Sequence, residues 1–156
     1  MKKTNILVVF DYGDTPDSKY VQELNNVLNK NKYNIISEYY AQYSPKEAKT
    51  DIENISREKK IDIYVGIGLG GYILTLLDND FKKILIDPIF DPETELKDIP
   101  AHVIDFYKKD KIEMKNKNII TMFIDKIPNG YKDVTDVANI HEEDIYKTIK
   151  NIIEKS

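Results

Sequence analysis

Apolar positions along this chain fall into two alternating patterns. Short continuous runs recur at Asn5 to Phe10 (NILVVF), Ile61 to Val65, Lys83 to Ile86 and Asn118 to Ile124, with Tyr33 to Tyr40 as a further β-rich stretch. Runs of this kind suit strands covered on both faces. Between them the apolar residues recur every three or four positions. Tyr20, Val21, Leu24, Val27 and Leu28 form one such stripe; Ala48, Ile52 and Ile55 form a second; Ile145, Ile149, Ile152 and Ile153 form the last. These are helix faces.

Local signals place the helix ends. Ser18 or Asp17 is positioned to cap the first helix. Ser44-Pro45-Lys46-Glu47 opens the second by three rules together: a serine cap, a proline in the first turn, and a glutamate three residues after the cap. Leu69 to Leu77 reads as a short helix after the third strand. The last helix, Glu142 to Glu154, carries acids in its first turn and Lys155 at its end, as the helix dipole prefers. Pro88 to Asn116 is the one irregular region, broken by Asp-Pro, Asp-Pro and Ile-Pro.

Strands alternating with helices predict one α/β domain spanning residues 1–156, a three-layer α/β/α sandwich on a mainly parallel five-stranded sheet. A single crossover after the second strand gives the order 2-1-3-4-5, with function collected at the carboxyl ends of the strands.

Composition narrows the chemistry. The net charge of −4 supplies no electrostatic footprint for nucleic acid. The absence of cysteine removes disulfides, thiolate nucleophiles and thiolate-bound metals. The apolar run after Met1-Lys2-Lys3-Thr4 is too short for a signal sequence or a membrane span, so a cytoplasmic protein is expected. No metal and no cofactor are expected. The partner is a small-molecule ligand or another protein, and a homodimer is compatible with this reading.

The predicted carboxyl edge holds Asp11-Tyr12-Gly13-Asp14-Thr15, the turn Gly66-Ile67-Gly68-Leu69-Gly70, Asp87-Pro88, Asp125-Lys126 and His141. A glycine-rich turn between strand and helix is where serine hydrolases of the α/β type place G-x-S-x-G. Here the middle residue is Gly68. An acid after a late strand (Asp125) and a histidine in the following loop (His141) complete the order nucleophile, acid, base, leaving a triad degenerate at its nucleophile. The oxyanion donors would be the backbone N–H groups of Leu69 and of Tyr12 or a neighbour. A small anionic or acyl ligand would then lie among Asp11, Tyr12, Gly68, Leu69 and Asp87. Each residue also has a plainer role. His141 can be a cap or a surface histidine, Asp125 and Asp87 turn formers, and His102 part of a short structural helix.

These motifs resemble the small bacterial esterase-like proteins of the YqiA/YcfP type within the α/β-hydrolase superfamily. Phe10-Asp11-Tyr12-Gly13 and the following Pro16-Asp17-Ser18-Lys19 stand where that family has an H-G-F-like turn and a loop with S-P-x-S and a lysine. Gly66-Ile67-Gly68-Leu69-Gly70-Gly71-Tyr72 stands where it has G-S-S-L-G-G-Y, and Asp87-Pro88 where it has N-P. The resemblance implies a reduced α/β-hydrolase fold with the serine replaced by Gly68. A carboxylic-ester or thioester hydrolase is the activity it implies if the site is alive.

Three other readings use the same residues. A His141–Asp125 pair could activate water directly, giving an esterase-like hydrolase without a covalent step. Gly66-x-Gly68-x-x-Gly71, with Asp87 about twenty residues on, matches a dinucleotide fingerprint. Tyr39, Tyr40 and Tyr43 would suit an interaction protein.

Overall fold

The computed structural model describes residues 2–96, 99–109, 114–115, 118–124 and 136–156; for residues 93 and 136–138 it describes the backbone alone. Six strands form one sheet in the order β2-β1-β3-β4-β5-β6: β1 (Thr4–Val9), β2 (Tyr33–Ile36), β3 (Ile63–Ile67), β4 (Lys82–Ile86), β5 (Ile119–Ile124) and β6 (Asp136–Ile140). Every pairing is parallel. The expected order 2-1-3-4-5 is present and extended by one strand.

Because side chains alternate across a strand, β1 divides its residues between two cores. Ile6 and Val8 face one layer, where α1 (Lys19–Val27) and α6 (Ile145–Glu154) contribute Leu24, Ile145, Ile149 and Ile153. Leu7 and Val9 face the other, built from α2 (Pro45–Lys59), α3 (Leu69–Leu74) and α5 (Ala101–Lys109), with Ala48, Ile52, Leu69, Ile73, Val103 and Tyr107. A four-residue helix, α4 (Pro92–Glu95), precedes α5.

Several boundaries differ from the sequence reading. β2 ends at Ile36, not Tyr40, because the chain peels away there; the Ser37 hydroxyl donates to the Val8 carbonyl at 3.0 Å, and the Tyr40 hydroxyl to the Phe10 carbonyl at 2.6 Å. Tyr40 is consequently buried, while Tyr39 and Tyr43 are exposed. β3 starts two residues later than expected, at Ile63. The helix after it is only six residues long. The expected start of the last helix at Glu142 is a 3-10 turn, Glu142–Asp144, which leads into α6. Ser44 caps α2 as expected, accepting from the Glu47 N–H at 3.4 Å, whereas the Ser18 hydroxyl at the start of α1 makes no capping bond.

The approach of α3 to β1 is the tightest constraint on the glycine turn. A β-carbon at Gly70 would land on the backbone carbonyl of Val9, which has no freedom to move within a central strand. Gly70→Ala should therefore lower unfolding free energy by about 1–3 kcal/mol in urea titration, the range of an overpacked core site. A loss under about 0.5 kcal/mol, the size of an ordinary surface change, would contradict this packing.

Candidate functional site

Gly68 lies between β3 and α3 with φ 56° and ψ −118°. That conformation is strained for any residue with a β-carbon, and it is the kind of turn expected where a strand feeds sharply into a helix. Neighbouring backbone holds it in place. The Gly68 N–H donates to the Ile86 carbonyl at 3.1 Å, and the Gly68 carbonyl accepts from the N–H groups of Ile89 at 3.0 Å and Gly71 at 3.1 Å.

The space over Gly68 is filled by the side chain of Asp11. A β-carbon on Gly68 would lie no more than 2.5 Å from either carboxylate oxygen or from Cγ. Oδ1 accepts from the Leu69 N–H at 2.9 Å and from the Tyr12 N–H at 2.7 Å. These are the two donors expected to form the oxyanion hole. The carboxylate thus spans both donors at the point where a serine side chain would stand. Asp11 itself is only half-buried, and Oδ2 has no hydrogen-bond partner among the described residues.

The loop that delivers Asp11 is braced from β2's continuation. The Gln42 side chain accepts from the Gly13 N–H at 3.0 Å and donates to the Asp11 carbonyl at 3.3 Å. The Gln42 carbonyl in turn accepts from the Tyr107 hydroxyl at 2.7 Å. The Asp14 N–H closes a turn onto the Asp11 carbonyl at 3.1 Å, and Gly13 takes φ 79° inside it. Gln42 and Tyr107 carry no motif, so only their place in the fold reveals this role.

Asp87 ends β4 with a left-handed backbone, φ 45°, and its Oδ1 accepts from the Ile124 N–H at 2.8 Å. It therefore ties the carboxyl ends of β4 and β5. Tyr20 stands in the field of these acids. Burial first, then Tyr146, Asp87, Glu142 and Asp11, hold its phenol above the ordinary tyrosine range.

His141 is exposed at the start of the 3-10 turn, where its carbonyl accepts from the Asp144 N–H at 2.9 Å. Its imidazole makes no hydrogen bond with a described residue. It lines an open cavity of about 590 Å³ with Lys19, Glu23, Glu142, Glu143 and Tyr146, a set that includes neither Asp11 nor Gly68. Asp125 lies outside the described residues. The structure thus brings Asp11, Tyr12, Gly68 and Leu69 together at one point, with Asp87 on the same sheet edge. His102 is exposed on α5. Among the described residues no cluster of His, Cys, Asp or Glu is arranged to hold a metal ion. No helix among them is long and apolar enough to cross a membrane.

No protein-family model matches the chain, and no curated protein matches it. Solved structures do. Est1E from Butyrivibrio proteoclasticus superposes with a TM-score of 0.71 at 14% identity, covering 99% of this chain and 88% of that one; it has also been solved with ferulic acid bound. A candidate hydrolase of the alpha/beta superfamily from Xanthomonas campestris pv. campestris gives 0.68 at 11% identity, with both chains covered fully at 100%. A candidate hydrolase from Agrobacterium vitis S4 gives 0.62 at 10%, covering 98% and 87%. At such identities the likeness is one of fold, and the fold is α/β-hydrolase-like.

The crowding over Gly68 makes Asp11 and Gly68 energetically coupled. Gly68→Ala should be tolerated better in an Asp11→Gly background than alone, because the clash is gone and only the positive-φ strain remains. A double-mutant cycle by denaturant unfolding should return a coupling of about 1–3 kcal/mol. Additivity within about 0.5 kcal/mol would contradict the contact.

Proposed function

We propose that this chain is a degenerate α/β-hydrolase, of the kind its resemblance to the YqiA/YcfP-type proteins implies, that lacks serine-type esterase activity and acts by holding a small ligand at the carboxyl edge of its sheet. The observation that carries this reading is the Asp11 carboxylate seated over Gly68. No side-chain hydroxyl stands at Gly68, and the donors that would stabilise an acyl oxyanion already hold a full negative charge. An incoming acyl group would meet an occupied hole.

The same contact selects among ligand classes. A small anion would have to displace an acceptor tethered beside its donors, so a neutral ligand that needs neither of these N–H groups is favoured over a free carboxylate or phosphate. A pyrophosphate would need the Leu69 N–H, which Asp11 takes, and the glycine turn sits on the third βα unit instead of the first; both weigh against the dinucleotide reading. Water activation by a His141–Asp125 pair draws no support from the imidazole, which faces the Lys19–Tyr146 cavity.

Purified protein should leave fluorophosphonate probes unreacted and turn over short-chain p-nitrophenyl esters no faster than buffer with an inert protein. Gly68→Ser alone should not restore labelling, since its β-carbon meets the Asp11 carboxylate. Probe-sensitive ester hydrolysis by the unaltered chain would overturn the reading and point to a hydroxyl elsewhere, with Ser18 and Thr15 nearest in the first loop.

A further inference from the structure

The amino edge of the sheet, at the far end of the strands from Gly68, carries a separate cavity of about 500 Å³, a volume in the range of small-molecule sites. Three lysines line it: Lys2 and Lys3 from the segment entering β1, and Lys82 at the start of β4. Lys82 is level with Ile63 in the ladder and two residues before Ile84, and both isoleucines pack in the α1 and α6 layer. Strand alternation therefore turns Lys82 to that same face, where its side chain is half-buried.

Among the described residues none of these three ammonium groups has an ion-pair or hydrogen-bond partner. Acids are close by and otherwise engaged. Asp62, on the cavity wall, turns Oδ2 to the Asn5 N–H at 2.8 Å. Ser156 also reaches the wall, without pairing its carboxylate to any of the three. The last carbonyls of α6 do not take the lysines either. Those of Asn151 and Ile153 accept from the Lys155 and Ser156 N–H groups, and that of Ile152 from the Ser156 hydroxyl. Elsewhere on this edge an acid in reach is used: Asp78 sits between Lys49 at 3.5 Å and Lys115 at 2.6 Å. In a chain of net charge −4, three unneutralised cations around one cavity call for a counter-charge from outside.

We propose that this cavity is a second ligand site, independent of the carboxyl edge, and that it takes a hydroxylated organic phosphate of the sugar-phosphate class. Lysines are compact point charges that can gather on the several oxygens of a phosphate dianion, whereas a planar carboxylate is matched best by a guanidinium fork. Arg57, the only arginine, is not on the wall. The remaining polar groups suit hydroxyls. Asn118 commits its amide nitrogen to the Asp80 carbonyl at 3.1 Å, which leaves its oxygen as an acceptor. Asp62 keeps Oδ1 free, and the Thr4 hydroxyl has no partner among the described residues. Ile63 and the lysine stems supply the apolar wall for the carbon skeleton. A carboxylate on the wall would repel a bare anion placed against it, so the phosphate belongs at the lysines and the hydroxyls at Asp62 and Asn118.

The test is a titration of the full chain, followed by amide nitrogen–proton NMR at constant ionic strength, with glucose 6-phosphate, inorganic phosphate and citrate. Glucose 6-phosphate should give saturable shifts at the amides of Lys3, Thr4, Ile63, Lys82 and Asn118, leaving Tyr12 and Leu69 unmoved, and should bind several-fold tighter than the other two anions. Lys82→Gln should weaken it about tenfold, the loss of one charge-assisted bond. The double substitution Lys2→Gln and Lys3→Gln, which lies outside the sheet and leaves the fold alone, should weaken it at least as much. Lys30→Gln, on an exposed lysine outside the cavity wall, should change nothing. Shifts that do not saturate, that reach Lys30 and Lys59 equally, or that centre on Tyr12 and Leu69 would overturn the site. Citrate or inorganic phosphate binding as tightly as the sugar phosphate would overturn the ligand class. So would binding to phosphatidylglycerol vesicles without saturable glucose 6-phosphate shifts, since the lysines would then serve a lipid surface. None of these results bears on the carboxyl-edge reading.

Discussion

One carboxylate organises the carboxyl edge of this sheet. Oδ1 of Asp11 joins the first loop to the start of α3 through the Tyr12 and Leu69 N–H groups, and its body fills the space over Gly68. The Leu69 amide belongs to a fully buried residue, so without an acceptor it would bear the cost of an unsatisfied donor, about 1–3 kcal/mol. An ionised acceptor is worth more to it than a neutral one. The Gln42 and Tyr107 bonds that brace the Asp11 loop have their explanation in this demand, since a carboxylate a few tenths of an ångström out of place would lose one donor or strike the turn.

Glycine at position 68 and aspartate at position 11 are two halves of one arrangement. A serine at 68 would need the volume that the carboxylate occupies, and a carboxylate at 11 needs a neighbour without a β-carbon. The turn holds Gly68 at φ 56° and ψ −118°, while the carboxylate over it comes from the loop after a different strand. The bare glycine at 68 and the carboxylate over it therefore belong together, and neither can be understood from its own segment.

Much of the architecture was legible from periodicity alone. Ile6 to Phe10, Ala48-Ile52-Ile55 and Ile145-Ile149-Ile153 announced a buried central strand and two amphipathic helices, and alternation of such elements leaves few topologies. β6 was missed because Asp136-Val137-Ala138-Asn139-Ile140 is a short edge strand whose polar residues break the apolar run. β2 was read too long because the β-rich stretch Ser37 to Tyr40 leaves the ladder yet still buries Tyr40. At the site, Gly68, Leu69, Tyr12 and Asp11 could be found from the turn motif and strand ends. Their mutual contact could not. Residues 11 and 69 are 58 apart in sequence, and which side chain fills a vacated position depends on rotamer and loop path, not on local pattern.

The contact between Asp11 and Leu69 can be observed directly by heteronuclear NMR, as a through-hydrogen-bond coupling from the Leu69 amide nitrogen to the Asp11 side-chain carboxyl carbon, with acetate then titrated in. The account predicts a resolved coupling, a Leu69 amide proton strongly shifted downfield, and neither altered by millimolar acetate. No coupling, together with a Leu69 amide that moves on adding acetate, would mean that the donors are open to outside anions and that Asp11 does not hold the site.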